Sequence, residues 1–337
     1  ESLNDQIARE VIPDAPNIVP VGYRSFDRQY ILADSRLLER ERPELWEHRV
    51  PGQIFIVEQH AHYPKAGPGL HFSTLIPDLD AFNNRGGRAH PVLNVSGVPN
   101  LTEPAKQMLR ERFGDNALGN LVYYLAALTG HPGYVRTFDK PLQQAGIRVP
   151  LTADPKLWER AVQLGKQVVW LHTYGERGEP LPGMKYLHQI PEGADYVLPT
   201  PTVDMGRTMP TKQPSFLPNS VTDELAEKQN TPVRGTVSFG RARCENVEKR
   251  VFDYTVGGNR VLGMWAKYRL KKPKTNRSSS LNDIVQREWP EAWSEEYERL
   301  LYTLTHLVHL EPAQEKLLDE VLTGEQIFRE EFVDTED

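Results

Sequence analysis

The sequence predicts an α+β fold in which β-rich, loop-rich lobes surround a helical segment and a helical hairpin closes the chain. Short apolar or alternating runs bounded by Pro, Gly and Asn occupy the N-terminal third. Apolar residues at helical spacing dominate the middle and the C-terminal part. The 27 prolines outnumber the 24 glycines and are scattered, which is typical of ordered loops. With 337 residues, 39% of them hydrophobic, the chain can bury a substantial core.

Residues 1–105 are predicted to form a β-rich lobe. We expect strands over residues 18–23, 29–32, 53–58 and 91–95. A helix over residues 102–113 should follow, because Thr102 is a favourable N-cap, Pro104 suits the first turn and Gly114 ends the pattern.

Residues 106–175 are the predicted helical segment. Two further helices are expected there, over residues 116–128 and 154–174. The second begins at the pair Asp154-Pro155 and carries apolar residues from Leu157 to Leu171 at helical spacing.

The C-terminal half is predicted as a mixed lobe followed by a hairpin. Over residues 176–270 we expect strands at 196–198, 236–239 and 250–254 and an amphipathic helix at 259–268. Residues 271–280 are basic and Ser-rich, as in a linker or mobile loop. Residues 281–330 should form an acidic helical hairpin whose second helix opens at Pro312, and Trp265 and Trp293 should lie in the core.

Charge is distributed unevenly along the chain. Residues 281–337 contain 16 acidic and four basic residues, a net charge of −12. Because the whole chain carries −6, residues 1–280 carry +6, and residues 241–277 hold eleven Lys or Arg against three acids. An acidic helical tail therefore masks a basic body.

Cys244 is the single cysteine, so the chain can form neither an internal disulfide nor a zinc site built on several thiolates. A reducing, cytoplasmic location is expected, since the N-terminus also lacks the pattern of a secretory signal. The uncharged stretch over residues 117–135 contains Asn, His and Pro, which favours a buried helix over a membrane span.

Catalytic motifs are missing from the sequence. It has no glycine-rich dinucleotide loop, Walker loop, nucleophile elbow or His-Glu-x-x-His, and no Asn/Asp-Pro-Pro-aromatic tetrapeptide of an amino-methyltransferase. His60, His62 and His71 could supply imidazoles to a metal, but no carboxylate stands at companion spacing. A small metal-dependent hydrolase using these histidines with Asp78 or Asp80 remains one alternative. We expect no catalytic residue and no cofactor on this chain.

The basic positions point to nucleic acid, which proteins bind through phosphates with Lys and Arg and read at base edges with Arg, Lys, Asn and Gln. Arg24 and Arg28 flank Phe26, although an ion pair between Asp27 and one of them would explain the pattern equally well. A second cluster surrounds Gly86-Gly87 and could instead be a solvated hairpin tip; it consists of Asn83, Asn84, Arg85 and Arg88. A third could instead be a solvated mobile loop; it consists of Lys267, Arg269, Lys271, Lys272, Lys274 and Arg277.

Several segments resemble, in order, the C-terminal target-recognition domain of type ISP restriction-modification enzymes and related large DNA adenine methyltransferases. Residues 23–30 resemble its Tyr-Arg-Pro-Phe-Asp-x-Arg-aromatic motif, with Ser25 in place of the proline, and residues 83–91 resemble its Arg-Gly-Gly-Arg-x-x-Pro loop. The most specific match is residues 251–258, Val-Phe-Asp-Tyr-Thr-Val-Gly-Gly. Weaker matches complete the series at residues 120–124, 131–134, 147–151, 164–172, 261–269 and 310–314.

The resemblance implies a domain that grips double-stranded DNA and reads an asymmetric site for a larger polypeptide. That polypeptide would also carry methyltransferase and helicase-nuclease domains, which are the expected protein partners and would use S-adenosylmethionine and ATP with Mg²⁺. The resemblance makes Asn83, Asn84, Arg85 and Arg88 candidates for base or phosphate contact. It makes the basic stretch from residue 241 to 277 a candidate for contact with the DNA backbone. Four further candidate residues in this stretch are Arg241, Arg243, Lys249 and Arg260. A structural module that couples those neighbouring domains without touching DNA is the second alternative.

Overall fold

Capping residues define the ends of the helices in the middle of the chain. In the computed structural model, which describes residues 17–34, 38, 42–82, 86–219, 232–272 and 285–328, helix Glu103–Phe113 starts after Thr102 and ends at Gly114. Helix Pro155–His172 starts after Asp154, whose side chain accepts a hydrogen bond from the backbone N–H of Lys156. Local sequence chemistry therefore placed both helices correctly.

The N-terminal region contains a hairpin, a short helix and a small sheet. Strands β1 and β2 form the antiparallel hairpin, helix α1 follows, and the sheet has the order β4-β3-β5. Their bounds are Ile18–Arg24 (β1), Asp27–Leu32 (β2), Pro43–Glu47 (α1), Phe55–Gln59 (β3), Leu70–Ser73 (β4) and Gly87–Pro91 (β5).

The strand predicted over residues 91–95 is wrong by several residues. The actual strand, β5, ends at Pro91 where it pairs with Phe55 of β3. Beyond it, the Asn94 side chain accepts hydrogen bonds from the backbone N–H groups of Ser96 and Val98. A side chain that bonds to the local backbone favours a turn over a strand.

The middle of the chain is helical, as predicted. Helix α3 packs lengthwise against α6, and both contact the C-terminal helix. The elements are Glu103–Phe113 (α2), Ala117–Thr129 (α3), Pro132–Thr137 (α4), Asp139–Leu142 (α5), Leu151–Thr152 (β6) and Pro155–His172 (α6).

A four-stranded antiparallel sheet with the order β7-β10-β9-β8 follows, and then a β-turn-β unit leads into a helix. The elements are Thr200–Val203 (β7), Ser215–Pro218 (β8), Arg234–Phe239 (β9), Ala242–Glu248 (β10), Lys249–Phe252 (α7), Thr255–Val256 (β11), Asn259–Arg260 (β12) and Val261–Lys267 (α8). The strand predicted over 196–198 lies instead at Thr200–Val203.

Two further predictions in this region need correction. Residues 250–254 do not form a strand, because Lys249–Phe252 turns into a short helix that buries Val251 and Phe252. The helix predicted from residue 259 begins at Val261, since Asn259–Arg260 pairs with Thr255–Val256.

The C-terminus is one continuous helix, Glu291–Thr323 (α9), followed by strand Gln326–Ile327 (β13), which pairs with β6. The predicted hairpin is therefore wrong, and Pro312 lies inside the helix. A proline lacks the N–H that would bond to the carbonyl four residues earlier. Here that carbonyl, on Val308, accepts a hydrogen bond from the Arg250 guanidinium at 3.4 Å, which compensates for the missing helix bond.

Buried side chains form two hydrophobic clusters that share α9. The first contains Phe72, Trp265 and Leu304, and the second contains Trp158 and Leu318. Trp265 is buried as predicted, whereas Trp293 is only partly buried against the first cluster. The α+β fold class is confirmed, and the division into four regions stays a prediction. No helix in the described ranges combines the length and apolar character needed to cross a bilayer.

Candidate nucleic acid interface

Three segments that are far apart in sequence meet at one place, which we call the three-segment junction: residues 22–28, residues 76–82 with 86–88, and residues 255–269. The backbone of Gly22 bonds to two residues at the start of the second segment, donating to the Ile76 carbonyl at 2.9 Å and accepting from the Asp78 N–H at 2.7 Å. The third segment joins through Asn259, whose side chain donates to the carbonyl of Phe82 at 3.3 Å. The fold therefore brings together the parts of the chain that sequence analysis had singled out.

The turn in the third segment is tightly packed against the second. Gly257 has a φ of +59°, and a Cβ atom there would lie 2.9 Å from the Phe82 ring. Glycine is the residue that adopts this backbone conformation without strain and permits this approach. The turn thus lies against Phe82, the residue that precedes Asn83, Asn84 and Arg85 in the sequence.

Arg24 links the first two segments to the third. Its guanidinium forms an ion pair with Asp78 at 3.1 Å and donates to the hydroxyl of Tyr268 at 3.1 Å. It also lies 4.1 Å from the ring centre of Tyr23, which contacts Tyr268 edge to face at 4.8 Å. Burial raises the pKa of Tyr23 to about 12 despite the nearby charge of Arg24, so the phenol is neutral at physiological pH. Only a tenth of the Arg24 side chain is exposed, which suits positioning better than DNA contact.

Arg269, which the sequence predicts to contact DNA, is buried in the structure. Its side chain is 1% exposed, and the guanidinium binds Asp27 at 2.8 Å and Glu296 at 3.0 Å over the ring of Trp265. Burial raises the pKa of Asp27 even though the hydrogen bond and charge of Arg269 act in the opposite direction. The predicted ion pair of Asp27 with Arg24 or Arg28 is therefore wrong, because Asp27 pairs with Arg269 while Arg24 pairs with Asp78 and Arg28 with Glu176.

Arg28 is also committed within the protein. Its two terminal nitrogens bind the two carboxylate oxygens of Glu176, and one of them donates to the carbonyl of Thr173. These contacts attach the β1–β2 hairpin to the end of α6. Arg28 keeps a quarter of its side chain exposed, so a DNA contact would have to compete with Glu176.

Four candidate basic residues near the junction are exposed and have no ion-pair partner among the described residues. They are Arg88, Lys267, Lys271 and Lys272. Lys267 ends α8, and its ammonium lies 5.8 Å from the ring centre of Tyr268. These side chains can meet phosphates without breaking an internal ion pair.

The remaining described candidates have partners or lie apart. The Asp253 carboxylate binds both Lys249, at 2.6 Å, and Arg260, at 3.1 Å. Arg243 donates to the carbonyls of its own β9–β10 turn, where the neighbouring Arg241 is exposed. Five predicted contact residues lie outside the described ranges: Asn83, Asn84, Arg85, Lys274 and Arg277.

The three candidate metal histidines have different surroundings. His71 is buried under Phe26, whereas His60 hydrogen-bonds to Glu58 at 2.8 Å and His62 is exposed. Burial would raise the pKa of Glu58, but hydrogen bonds from His90 and His60 outweigh it and lower the pKa. Within the described residues no three His, Cys, Asp or Glu side chains lie close enough to hold a metal. The structure gives the hydrolase alternative no support.

Sequence reasoning missed the roles of Asp78, Tyr268 and Glu296 at the junction. One signal was present: the dipeptide Tyr-Arg occurs both at Tyr23-Arg24 and at Tyr268-Arg269, and these two dipeptides contact each other through Arg24 and the two tyrosines.

A family profile gives the class of protein, a specificity domain. The sequence profile of the Type ISP C-terminal specificity domain matches residues 1–302, and the chain belongs to this family. No curated protein sequence matches it significantly.

Solved structures share the fold. LlaBIII, an ATP-dependent Type ISP restriction-modification enzyme bound to DNA, is 14% identical with a TM-score of 0.59 over 96% of this chain and 20% of its own. A nuclease-deletion mutant of the Type ISP enzyme LlaGI with a DNA substrate mimic is 16% identical, with a TM-score of 0.56 over 95% and 26%. The chain in the DrdV–DNA complex is 16% identical, with a TM-score of 0.56 over 95% of this chain and 32% of its own. The chain thus spans between a fifth and a third of the length of these proteins.

Proposed function

We propose that this chain binds double-stranded DNA sequence-specifically, as the target-recognition domain of a restriction-modification polypeptide. One observation carries the proposal: the three-segment junction collects the family motifs at one place, and beside it lie exposed basic residues that have no ion-pair partner in the described part of the chain. The solved structures of the same fold hold DNA, which supports the same ligand here.

The candidate residues divide into two proposed roles. Arg88, Lys267, Lys271 and Lys272, with Arg241, would contact the DNA backbone. Asn83, Asn84 and Arg85, which follow Phe82 in the sequence, would read bases or phosphates. Lys274 and Arg277 would extend the backbone contact. Arg24, Arg28, Arg243, Lys249 and Arg260 would position these groups through the internal contacts described above.

The parent polypeptide would carry the chemistry. A DNA adenine-N6 methyltransferase must extrude its target base from the helix, and a recognition domain on the duplex supplies register and binding free energy for that step. The methyltransferase and helicase-nuclease domains would bind S-adenosylmethionine and ATP with Mg²⁺, while this chain would hold neither cofactor.

A binding titration with random duplex DNA at two salt concentrations tests the proposal. Affinity should fall steeply as salt rises, because each phosphate contact releases counterions. The double variant Lys267→Glu, Lys271→Glu should bind at least about tenfold more weakly and show a smaller salt dependence. Lys156→Glu, which reverses an exposed charge at the start of α6, should change binding little. Absence of binding by the folded chain at low salt would refute the proposal.

A coupling module for neighbouring domains is the second candidate, and the β1–β2 hairpin favours it. Its outer face pairs Ile18 with Leu32 and Pro20 with Tyr30, and all four side chains are exposed. An exposed apolar face of this kind is typical of a surface that another protein covers. A preceding domain of the same polypeptide would be the occupant. Folded protein without DNA affinity would favour this function.

A further inference from the structure

A cavity of about 340 Å³ lies beside the junction, between the β1–β2 hairpin, helix α1, the loop over residues 76–80 and strand β5. Its walls are held in place: Gly22 of β1 bonds to both Ile76 and Asp78 of the loop, and Arg88 stands on β5. The volume lies at the lower end of the range of ligand pockets, about 300–1,000 Å³, and cannot admit a duplex.

The interior of the cavity is apolar and aromatic. Val21, Val57 and Ile76 are buried at its floor, and the rings of Tyr23 and Trp46 contribute to its walls. The Arg49 guanidinium lies 5.2 Å from the ring centre of Trp46. Rings of this kind are the surfaces on which unpaired nucleobases stack in single-strand binding proteins.

The polar groups of the cavity carry both signs of charge. Arg42 and Arg88 are exposed cations on its lining, and Asp78 and Asp80 are carboxylates on the same lining. The backbone N–H of Asp80 and the guanidinium of Arg24 both bind one oxygen of Asp78 and orient it. A carboxylate that faces DNA is repelled by phosphates, but it accepts hydrogen bonds from the exocyclic amino groups of bases.

We infer that this cavity binds a single unstacked nucleotide of the bound DNA, with its base against the aromatic wall, an amino group at Asp78 and its phosphate at the arginines. The inference rests on the proposed function, since Arg88 belongs both to the cavity and to the exposed basic residues at the junction. A free nucleotide offers the same chemistry, so the test must separate the two sources.

The test compares a fully paired duplex with a bulged duplex, which has the same paired sequence and one additional, unpaired 2-aminopurine. The full chain should bind the bulged duplex at least about fivefold more tightly, and stacking on the aromatic wall should quench the fluorescence of the unpaired base. Trp46→Ala should lose both the preference and the quenching. Tyr186→Ala, which removes an exposed aromatic ring elsewhere, should keep both.

The remaining outcomes separate a cavity for a nucleotide of bound DNA from a cavity for a free nucleotide, and separate both from the proposed function. Salt-dependent binding of both duplexes with equal affinity would overturn the inference and leave the proposed function intact, whereas no binding of either duplex would refute the proposed function itself. Binding of dAMP that Trp46→Ala abolishes, without preference for the bulge, would assign the cavity to a free nucleotide and overturn its use for DNA. If Trp46→Ala fails to fold, Trp46→Leu retains the apolar contacts and lacks the ring.

Discussion

Arg269 lies at the centre of a buried charge cluster that joins three parts of the chain. Asp27 comes from the N-terminal hairpin and Glu296 from α9, and both carboxylates bind the same guanidinium nitrogen. One oxygen of Asp27 and the Nε of Arg269 have no hydrogen-bond partner within the described part of the chain. Charges taken out of water in this way depend on each other, because either one alone would be uncompensated.

Replacing Arg269 should therefore cost far more stability than its position in a basic stretch suggests. We expect Arg269→Ala to lower the free energy of unfolding by about 3–5 kcal/mol, since it leaves Asp27 buried without a counter-charge. Arg269→Lys should lose less, because the charge remains while the planar contact over Trp265 is lost. Urea unfolding monitored by circular dichroism measures both.

The matched control for Arg269 is Arg160, which also pairs with a glutamate of α9, Glu320, but is more than half exposed. Arg160→Ala should cost less than about 1 kcal/mol. Equal losses for the two arginines would show that the buried cluster has no special weight.

At the scale of elements, the packing of α3 against α6 depends on the absence of one side chain. A Cβ atom at Gly165 of α6 would lie 1.7 Å from the carbonyl oxygen of Tyr123 on α3. Backbone atoms cannot move aside as the end of a flexible side chain can. The two helices can approach this closely because residue 165 is glycine.

Gly165→Ala should lower the free energy of unfolding by about 3 kcal/mol or more, at the upper end of overpacking costs, by forcing the helices apart. Gly119→Ala, on α3 where an added Cβ meets nothing within 4 Å, is the control. It should stabilise the protein by about 0.5–1 kcal/mol through the better helix propensity of alanine. Thermal unfolding of the two variants should thus shift in opposite directions, and a destabilised Gly119→Ala would contradict the packing argument.

Elements determined by neighbouring residues could be predicted from the sequence, and those determined by distant contacts could not. Asp154 caps the first turn of one helix, and Pro104 and Gly114 lie in the first turn and at the end of the other, so both helices were placed correctly. Pro312 looked like a helix start because the compensating donor, Arg250, lies 58 residues before the carbonyl it serves.

The same distinction applies to the candidate site. The basic character of residues 241–277 was visible in the sequence, but the sequence did not show which of these Lys and Arg side chains are exposed. Asp27 and Arg269 are 242 residues apart, and only the folded chain shows that they neutralise each other. Exposure of Lys267, by contrast, follows from its place at the polar end of a short amphipathic helix.

At the scale of the whole molecule, the acidic C-terminal helix and the basic body are partly neutralised by contact. Helix α9 supplies Glu296, Glu315 and Glu320 to arginines that follow α8 or lie in α4 and α6. Because α9 also contributes to both hydrophobic clusters, it holds the lobes together by apolar packing and by charge. The net charge of −6 therefore describes the molecule poorly, since part of its negative charge is paired with its own basic residues.

Stability at acidic pH also belongs to the whole molecule, because buried histidines occupy its core. His71 and His172 contact each other at 5.0 Å between ring centres. Burial, with a smaller effect of Arg28, lowers the pKa of His71 to about 3, and burial lowers the pKa of His172 well below its ordinary value. Below the ordinary histidine pKa of about 6.5, the unfolded chain binds protons that the folded chain does not bind, so the free energy of unfolding falls as pH falls.

Removing one imidazole should weaken this pH dependence by a defined amount. Between pH 6.5 and 5.5 each such histidine contributes up to about 1.4 kcal/mol, so His71→Leu should lose up to that much less stability than the parent over this interval. Glu311 acts in the opposite direction, since burial raises its pKa to about 7, but it is present in both proteins and cancels in the comparison. Urea unfolding at the two pH values measures the difference. His62→Leu, which removes an exposed imidazole, should follow the parent, and an unchanged pH dependence in His71→Leu would show that His71 takes up its proton without unfolding the core.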